Sequence, residues 1–192
     1  MSASDLRPAR RARPAILAAA GVLALAGAGA WAIESEADVY LRIRYPLQYE
    51  HIIRGHARNY DLDPALLAAV IYTESRFDSS ARSGAGAIGL MQLLPETARG
   101  IALRTGGGRF VVADLLDPEI NIRYGSWYLD HLRDRYGDLR LALAAYHAGQ
   151  GNVDEWLRSG GGIRFAETRA YVDSVTSARR VYAKAYRAEL GL

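Results

Sequence analysis

Glu74 is the residue whose type and position most invite chemistry. It stands near the end of the apolar run "LDPALLAAVIYTES", is followed by Ser75, and then by a loop of small residues, "SSARSGAGAIG". Leu67, Val70, Ile71 and Glu74 recur at three- and four-residue spacings, so they share one face of a helix. A carboxylate on an apolar face loses hydration, and the last turn of a helix carries partial negative charge. Both effects disfavour the ionised form and predict a raised pKa for Glu74. A carboxyl group that keeps its proton near neutral pH can give it to a leaving oxygen, as in cleavage of a glycosidic bond. The same residues also allow a capping or salt-bridged glutamate with Arg76 or Arg82 as partner, and helix geometry alone leaves both readings open.

The elements that must hold this carboxyl are legible as helices. Asp63 is placed as the N-cap of the Glu74 helix and Pro64 as its first residue. Before it, "RYPLQYEHIIRGHARNYD" reads as a helix with Leu47, Ile52, Ile53, Ala57 and Tyr60 along one stripe. After the small-residue loop, helices are predicted to start at Pro95, at Asp117-Pro118 with a stop at Gly137, and at Asp138 with a stop at Gly149. "GNVDEWLRSGGG" predicts a short helix. "ETRAYVDSVTSARRVYAKAYR" predicts a long last one with Tyr171, Val175, Ala178 and Tyr182 on one side. No alternating strand pattern and no repeat period stand out. The expectation is an all-α, globular domain of about seven helices.

The chain of 192 residues has a net charge of +3 and no cysteine. The missing cysteine excludes a disulfide framework, a thiolate metal site and a cysteine nucleophile. The positive excess sits in the tail, at Arg7, Arg10, Arg11 and Arg13 against Asp5, and the remainder is balanced. A nucleic-acid binder carries its basic patch on the folded domain, so nucleic acid is not expected as a partner. The tail precedes "AILAAAGVLALAGAGAWAI", an uncharged stretch close to the roughly 20 residues that cross a bilayer as a helix. Arginines on its N-terminal side place that end in the cytoplasm. The expected organisation is a basic cytoplasmic tail over 1–14, a transmembrane anchor over 15–33, a connector over 34–44 and a catalytic domain over 45–192. The apolar run exceeds the roughly 7–15 residues of a signal-peptide core, which favours a retained anchor. Ala30-Trp31-Ala32 offers a cleavage site for the alternative, secretion after signal removal. Either way the domain is exported to the cell envelope.

Several blocks now add to the helix reading. "ES" at Glu74-Ser75 is followed by "SGAGAIGLMQ" from Ser83 to Gln92, "PETA" from Pro95 to Ala98, "AYHAGQGNV" from Ala145 to Val153 and "ETRAYV" from Glu167 to Val172. In this order and spacing they resemble the soluble-lytic-transglycosylase family, whose catalytic domain is similar to goose-type lysozyme. The resemblance covers roughly Tyr45 to Tyr186. It implies a lysozyme-like fold after the single N-terminal hydrophobic helix. It implies that Glu74 is the one catalytic acid and base. It also implies that Ser83 and Gln92 line a substrate groove, that Met91 packs on a sugar face, that Tyr146 sits beside the scissile bond, and that Glu167 and Tyr171 complete the wall. The implied substrate is the peptidoglycan glycan strand, cut between N-acetylmuramic acid and N-acetylglucosamine with a 1,6-anhydro product. The implied reaction needs no cofactor and no metal. His147 departs from the asparagine usual at its position, and Gln150 from a frequent proline.

The alternatives are a lysozyme-type hydrolase of the same bond and a catalytically inactive glycan-binding scaffold. Asp78 reads as a turn residue and Glu96 as a helix-start charge, which leaves Glu167 as the better second acid. Tyr124, Trp127 and Tyr128 are expected in the core. His51, His56 and His131 show no metal-ligand spacing, and "GAGAIG" follows a helix, unlike a dinucleotide loop.

Overall fold

Asp63 starts the central helix as expected: its carboxylate accepts from the backbone N–H of Ala65 at 2.8 Å, and Pro64 occupies the first turn. In this computed structural model, which describes residues 39–192, the helix runs Pro64–Ser75 (α2). Every residue from Ala65 to Tyr72 is buried, so the helix is enclosed rather than one-faced. Alanines on its sides let neighbouring helices approach closely, and the apolar burial supplies most of the stabilisation. Asp63 also accepts from Arg179 of the last long helix. Asp63→Ala is therefore expected to cost about 1–2 kcal/mol in urea-induced unfolding, through a lost cap and a lost ion pair.

The other elements fall close to their sequence signals. α1 spans Glu50–Asn59, α3 Pro95–Thr105, α4 Pro118–Tyr136, α5 Leu139–Ala148, α6 Gln150–Arg158, α7 Ala166–Ala185 and α8 Arg187–Leu190. Asp117 and Asp138 cap α4 and α5 from their side chains, and Gly106, Gly137 and Gly149 end α3, α4 and α5. α1 begins later than the stripe suggests: residues 45–49 are not helical, and Tyr49 adopts a left-handed conformation at the N-cap. A short 3-10 helix at Val112–Leu116, held by Asp114 accepting from the N–H of Val111, and the one-turn α8 have no periodic signal. No strand occurs among the described residues; two isolated bridges, Arg82 to Ile88 and Ile88 to Leu93, tighten the loop after α2. The all-α expectation holds.

Residues Arg44–Leu192 form one unit, in which α2 packs most extensively on α7, and α5 packs on α4, α6 and α7. Val172, Val175, Ala178 and Tyr182 of α7 are all buried. Among the described residues no helix is long and apolar enough to cross a membrane. The expected anchor over 15–33 and its basic tail lie outside the described residues.

Candidate active site

α2 ends abruptly, and the ending aims Glu74. Arg76 takes left-handed angles at the C-cap and Phe77 follows it into the same region. Two consecutive non-glycine residues there cost about 1 kcal/mol or more each, and persist only when packing holds them. Phe77 is buried with its ring 6.2 Å from Tyr182, and the Arg76 guanidinium lies 4.0 Å over the Tyr72 ring. Arg76 is thus turned to Tyr72 and away from the ion-pair role open to it in the sequence.

Glu74 is half-buried and its Oε1 accepts a 2.7 Å hydrogen bond from the Tyr171 hydroxyl. Burial pushes its pKa up to about 7, while the Tyr171 bond pulls the other way by favouring the carboxylate. Tyr146 and Tyr171 both lie close enough to feel the Glu74 charge, and burial plus that charge hold both phenols protonated, well above the ordinary tyrosine value. A carboxyl with its pKa near 7 can give a proton and take one back in the same pH range.

The loop that follows α2 is seated by side chains from three helices. Ser75 Oγ donates to the carbonyl of Leu90 at 2.8 Å, Tyr146 donates to the carbonyl of Met91 at 2.8 Å, and the amide of fully buried Asn121 accepts from Met91 N at 2.8 Å. The Asn121 nitrogen donates to the carbonyls of Ile88 and Leu115 at 3.0 and 2.8 Å. Gly125, one turn after Asn121, leaves room for Met91: a Cβ there would meet the Met91 sulfur at 2.3 Å. Gly89, at φ +81, passes so near Leu115 and Asn121 that a Cβ would lie 2.3 Å from each.

This seating corrects one expectation. Met91 has no exposed surface, because its side chain fills the space over Gly125, so it supports the site from below and cannot touch a sugar. Ser83 is exposed and its Oγ accepts from the N–H of Ala87, which leaves its hydroxyl hydrogen free to donate. Gln92 is half-buried, and its amide nitrogen is turned inward to the carbonyls of Ala81 and Gly89. Glu167 is exposed on the first turn of α7 and makes no bond to Glu74; its charge is felt at His147. Asp78 closes a turn through Ser80, and Glu96 sits in the first turn of α3, both as expected. Tyr124 is in the core as expected, and Trp127 and Tyr128 are half-buried and packed against that core. With Thr97, His131 and Gln150 they line a concavity of about 300 Å³, and Tyr128 packs on Tyr146 at 5.4 Å. Asn121 is not singled out by the sequence, and Ser75 and Thr168 enter only as members of the "ES" and "ETRAYV" blocks, with no role of their own. A polar residue and a glycine four apart inside a helix, as at Asn121 and Gly125, are a readable sign of a close contact.

Residues 51–167 match the Transglycosylase SLT domain family. The chain is 33% identical over 148 residues to the soluble lytic murein transglycosylase of Escherichia coli K12, covering 71% of this chain and 23% of that protein. It is 40% identical over 116 residues to the membrane-bound lytic murein transglycosylase C of Actinobacillus pleuropneumoniae, covering 55% of this chain and 32% of that one. Among solved structures, an inactive glutamate-to-glutamine mutant of the lytic transglycosylase Slt from Pseudomonas aeruginosa superposes with a TM-score of 0.71 at 36% identity, covering 77% of this chain and 26% of that chain. The chain thus spans about a quarter of the length of the E. coli relative.

Proposed function

The chain belongs to the transglycosylase SLT domain family, and from that membership we propose that it is a peptidoglycan lytic transglycosylase. It cleaves the β-1,4 bond between N-acetylmuramic acid and N-acetylglucosamine and leaves 1,6-anhydromuramic ends. The carrying observation is Glu74, half-buried at a helix end, bonded to Tyr171 and raised to about 7. The Pseudomonas relative is inactive as a glutamate-to-glutamine mutant, which supports an essential glutamate in this reaction.

The protein brings one carboxyl group where ordinary glycosidases bring two. The substrate supplies the second function. As Glu74 protonates the departing glucosamine oxygen, the muramic N-acetyl carbonyl attacks the anomeric carbon from within the same sugar. The ionised Glu74 then takes the proton of the muramic 6-hydroxyl, whose oxygen closes on the anomeric carbon and releases the acetamido group. No water is consumed, and Glu74 ends protonated as it began. Ser83 and the carbonyl end of Gln92 bind sugar or acetyl groups, Tyr146 and Tyr171 hold the carboxyl side of the site, and Glu167 borders it. The concavity beside Tyr128 offers aromatic faces to a further ring. We place the enzyme in the bacterial envelope, anchored through residues 15–33 with the domain outside the cytoplasm. The membrane-bound relative supports this. Membrane fractionation with N-terminal sequencing tests it; a mature chain starting near Ile33 in the soluble fraction argues for secretion.

Mass spectrometry of digested, purified peptidoglycan decides the reaction. Muropeptides one water lighter than reducing-end products are expected. Reducing ends would instead mean hydrolysis, and intact strands a binding scaffold. Tyr171→Phe removes the bond that lowers the Glu74 pKa. Its basic limb is therefore expected to move to higher pH, and its rate to fall roughly five- to tenfold from lost positioning. A pH–rate profile checks both.

A further inference from the structure

His147 follows Tyr146 at the end of α5 and is not needed to donate or accept a proton in the scheme above. Its placement ties it to the catalytic carboxyl nonetheless. The imidazole Nδ1 lies 3.2 Å from Oγ1 of Thr168, which is fully buried on α7. Its ring sits against the Tyr171 ring, centroids 4.5 Å apart. The Tyr171 hydroxyl in turn donates to Glu74 at 2.7 Å. Thr168, His147, Tyr171 and Glu74 thus form one continuous line from α7 to α5, back to α7 and on to α2, and the residue at its solvent side is the exposed histidine.

Resting on the proposed transglycosylase activity, we infer that His147 is a positioning residue that couples the acid to pH: neutral, it braces Tyr171 against Glu74, and protonated, it slows the reaction. Threonine can donate to a neutral Nδ1 or accept from a protonated one, so the brace survives a change of charge. What changes is the field. An imidazolium over Tyr171 makes the phenol a stronger donor and favours the carboxylate of Glu74, which is then a weaker base for the 6-hydroxyl proton. The same charge opposes the oxocarbenium-like transition state of both steps.

Glu167 is the charge felt at His147, and the acids Asp130, Asp154 and Asp173 on α4, α6 and α7 are held in pairs. Glu167 on α7 favours protonation of His147, but the side of the ring packed against Tyr171 is partly desolvated even though the residue reaches solvent, and this outweighs Glu167 and lowers the pKa below the ordinary 6.5. Asp173 on α7 is paired with Arg140 of α5, Asp154 on α6 with Arg135 of α4, and Asp130 on α4 with Arg133. Glu74 is reached through Tyr171. At neutral pH the histidine is therefore uncharged and the enzyme active, and acidification below the histidine midpoint turns it down.

The test compares wild type with His147→Asn and His147→Ala. Anhydro-muropeptide formation is followed from pH 4.5 to 8.5, with a thermal melt at each pH. The wild type is expected to lose rate on the acid side with a midpoint below 6.5, and His147→Asn to lose that acid limb while keeping the basic one. At pH 5 His147→Asn should exceed wild type roughly fivefold. His147→Ala should lose the acid limb too, with a lower plateau because nothing braces Tyr171. An acid limb retained in both variants, or a loss by one factor at every pH, overturns the inference. A second readout needs no turnover. The Glu74 carboxyl resonance of the isotope-labelled full chain should show a second, smaller inflection at the His147 imidazole midpoint, absent in His147→Asn. Its absence from wild type also overturns the coupling. Absence of anhydro product at every pH instead strikes the transglycosylase reading and leaves the coupling to be judged by this resonance.

Discussion

Glu74→Gln is expected to lower anhydro-muropeptide formation by about 10³–10⁴-fold, since the same group donates a proton in one step and removes one in the next. Glutamine keeps the size and can still accept from Tyr171, so strand binding should change little. The substitution should also make the fold more stable at alkaline pH. The Glu74 pKa rises from 4.5 in the unfolded chain to about 7 in the fold, so the folded state holds a proton that the unfolded state has already released. The Glu74 contribution to stability is fully present below pH 4.5 and is lost as pH rises toward 7 and just beyond, by at most about 3 kcal/mol at 1.36 kcal/mol per pKa unit. Glutamine has no charge to bury and escapes that fall. Urea unfolding at pH 5 and pH 8 should show a gap between variant and wild type that opens at the higher pH. Equal stability at both, with activity lost, would mean that Glu74 ionises freely and that its burial is not what tunes it.

The second large effect is structural. Asn121→Ala removes three hydrogen bonds at once from a site without solvent: one to the N–H of Met91, one each to the carbonyls of Ile88 and Leu115. Each backbone group left unpaired in the interior costs about 1–3 kcal/mol. A total of about 3–5 kcal/mol is expected in urea unfolding, a large share of what a domain of this size has. Activity should fall as well, because the Gly89–Gln92 turn, which is also bonded to Ser75 next to Glu74, is seated on that amide. Asn121→Asp restores the acceptor but not the donors and buries a charge, so it should not rescue. A loss under about 1 kcal/mol for the alanine variant would show that the loop is held chiefly by Ser75 and Tyr146.

The helices were readable because their ends carry explicit chemistry. Asp63-Pro64, Asp117-Pro118, Asp138, Pro95 and the glycines at 106, 137 and 149 mark starts and stops that the fold uses. Glu74 was readable because a carboxyl interrupts an apolar face. The direction of its pKa follows from burial and the helix-end charge together, and burial is the leading cause in the fold. Its partner Tyr171, 97 residues away, came into view only through the motif blocks, since local periodicity says nothing about contacts between helices. Met91 was misplaced for a related reason. A block of residues tells which positions recur together, but not whether a side chain points into the groove or under it, and here Gly125 opens the space beneath. Asn121 was hidden inside an otherwise ordinary helix, where its three partners are backbone groups that no sequence pattern marks. The 3-10 turn at Val112–Leu116 rests on Asp114 and has no period to detect.

The protonation of one carboxyl group carries the whole account, and it can be watched directly. Carbon-13 NMR of the Glu74 side chain, assigned by its loss in Glu74→Gln, follows the titration from pH 3 to 9. A midpoint near 7 is expected, set by burial and held down by Tyr171. A midpoint at the ordinary 4.5 would contradict it, because a group already ionised at neutral pH has no proton to give a leaving sugar.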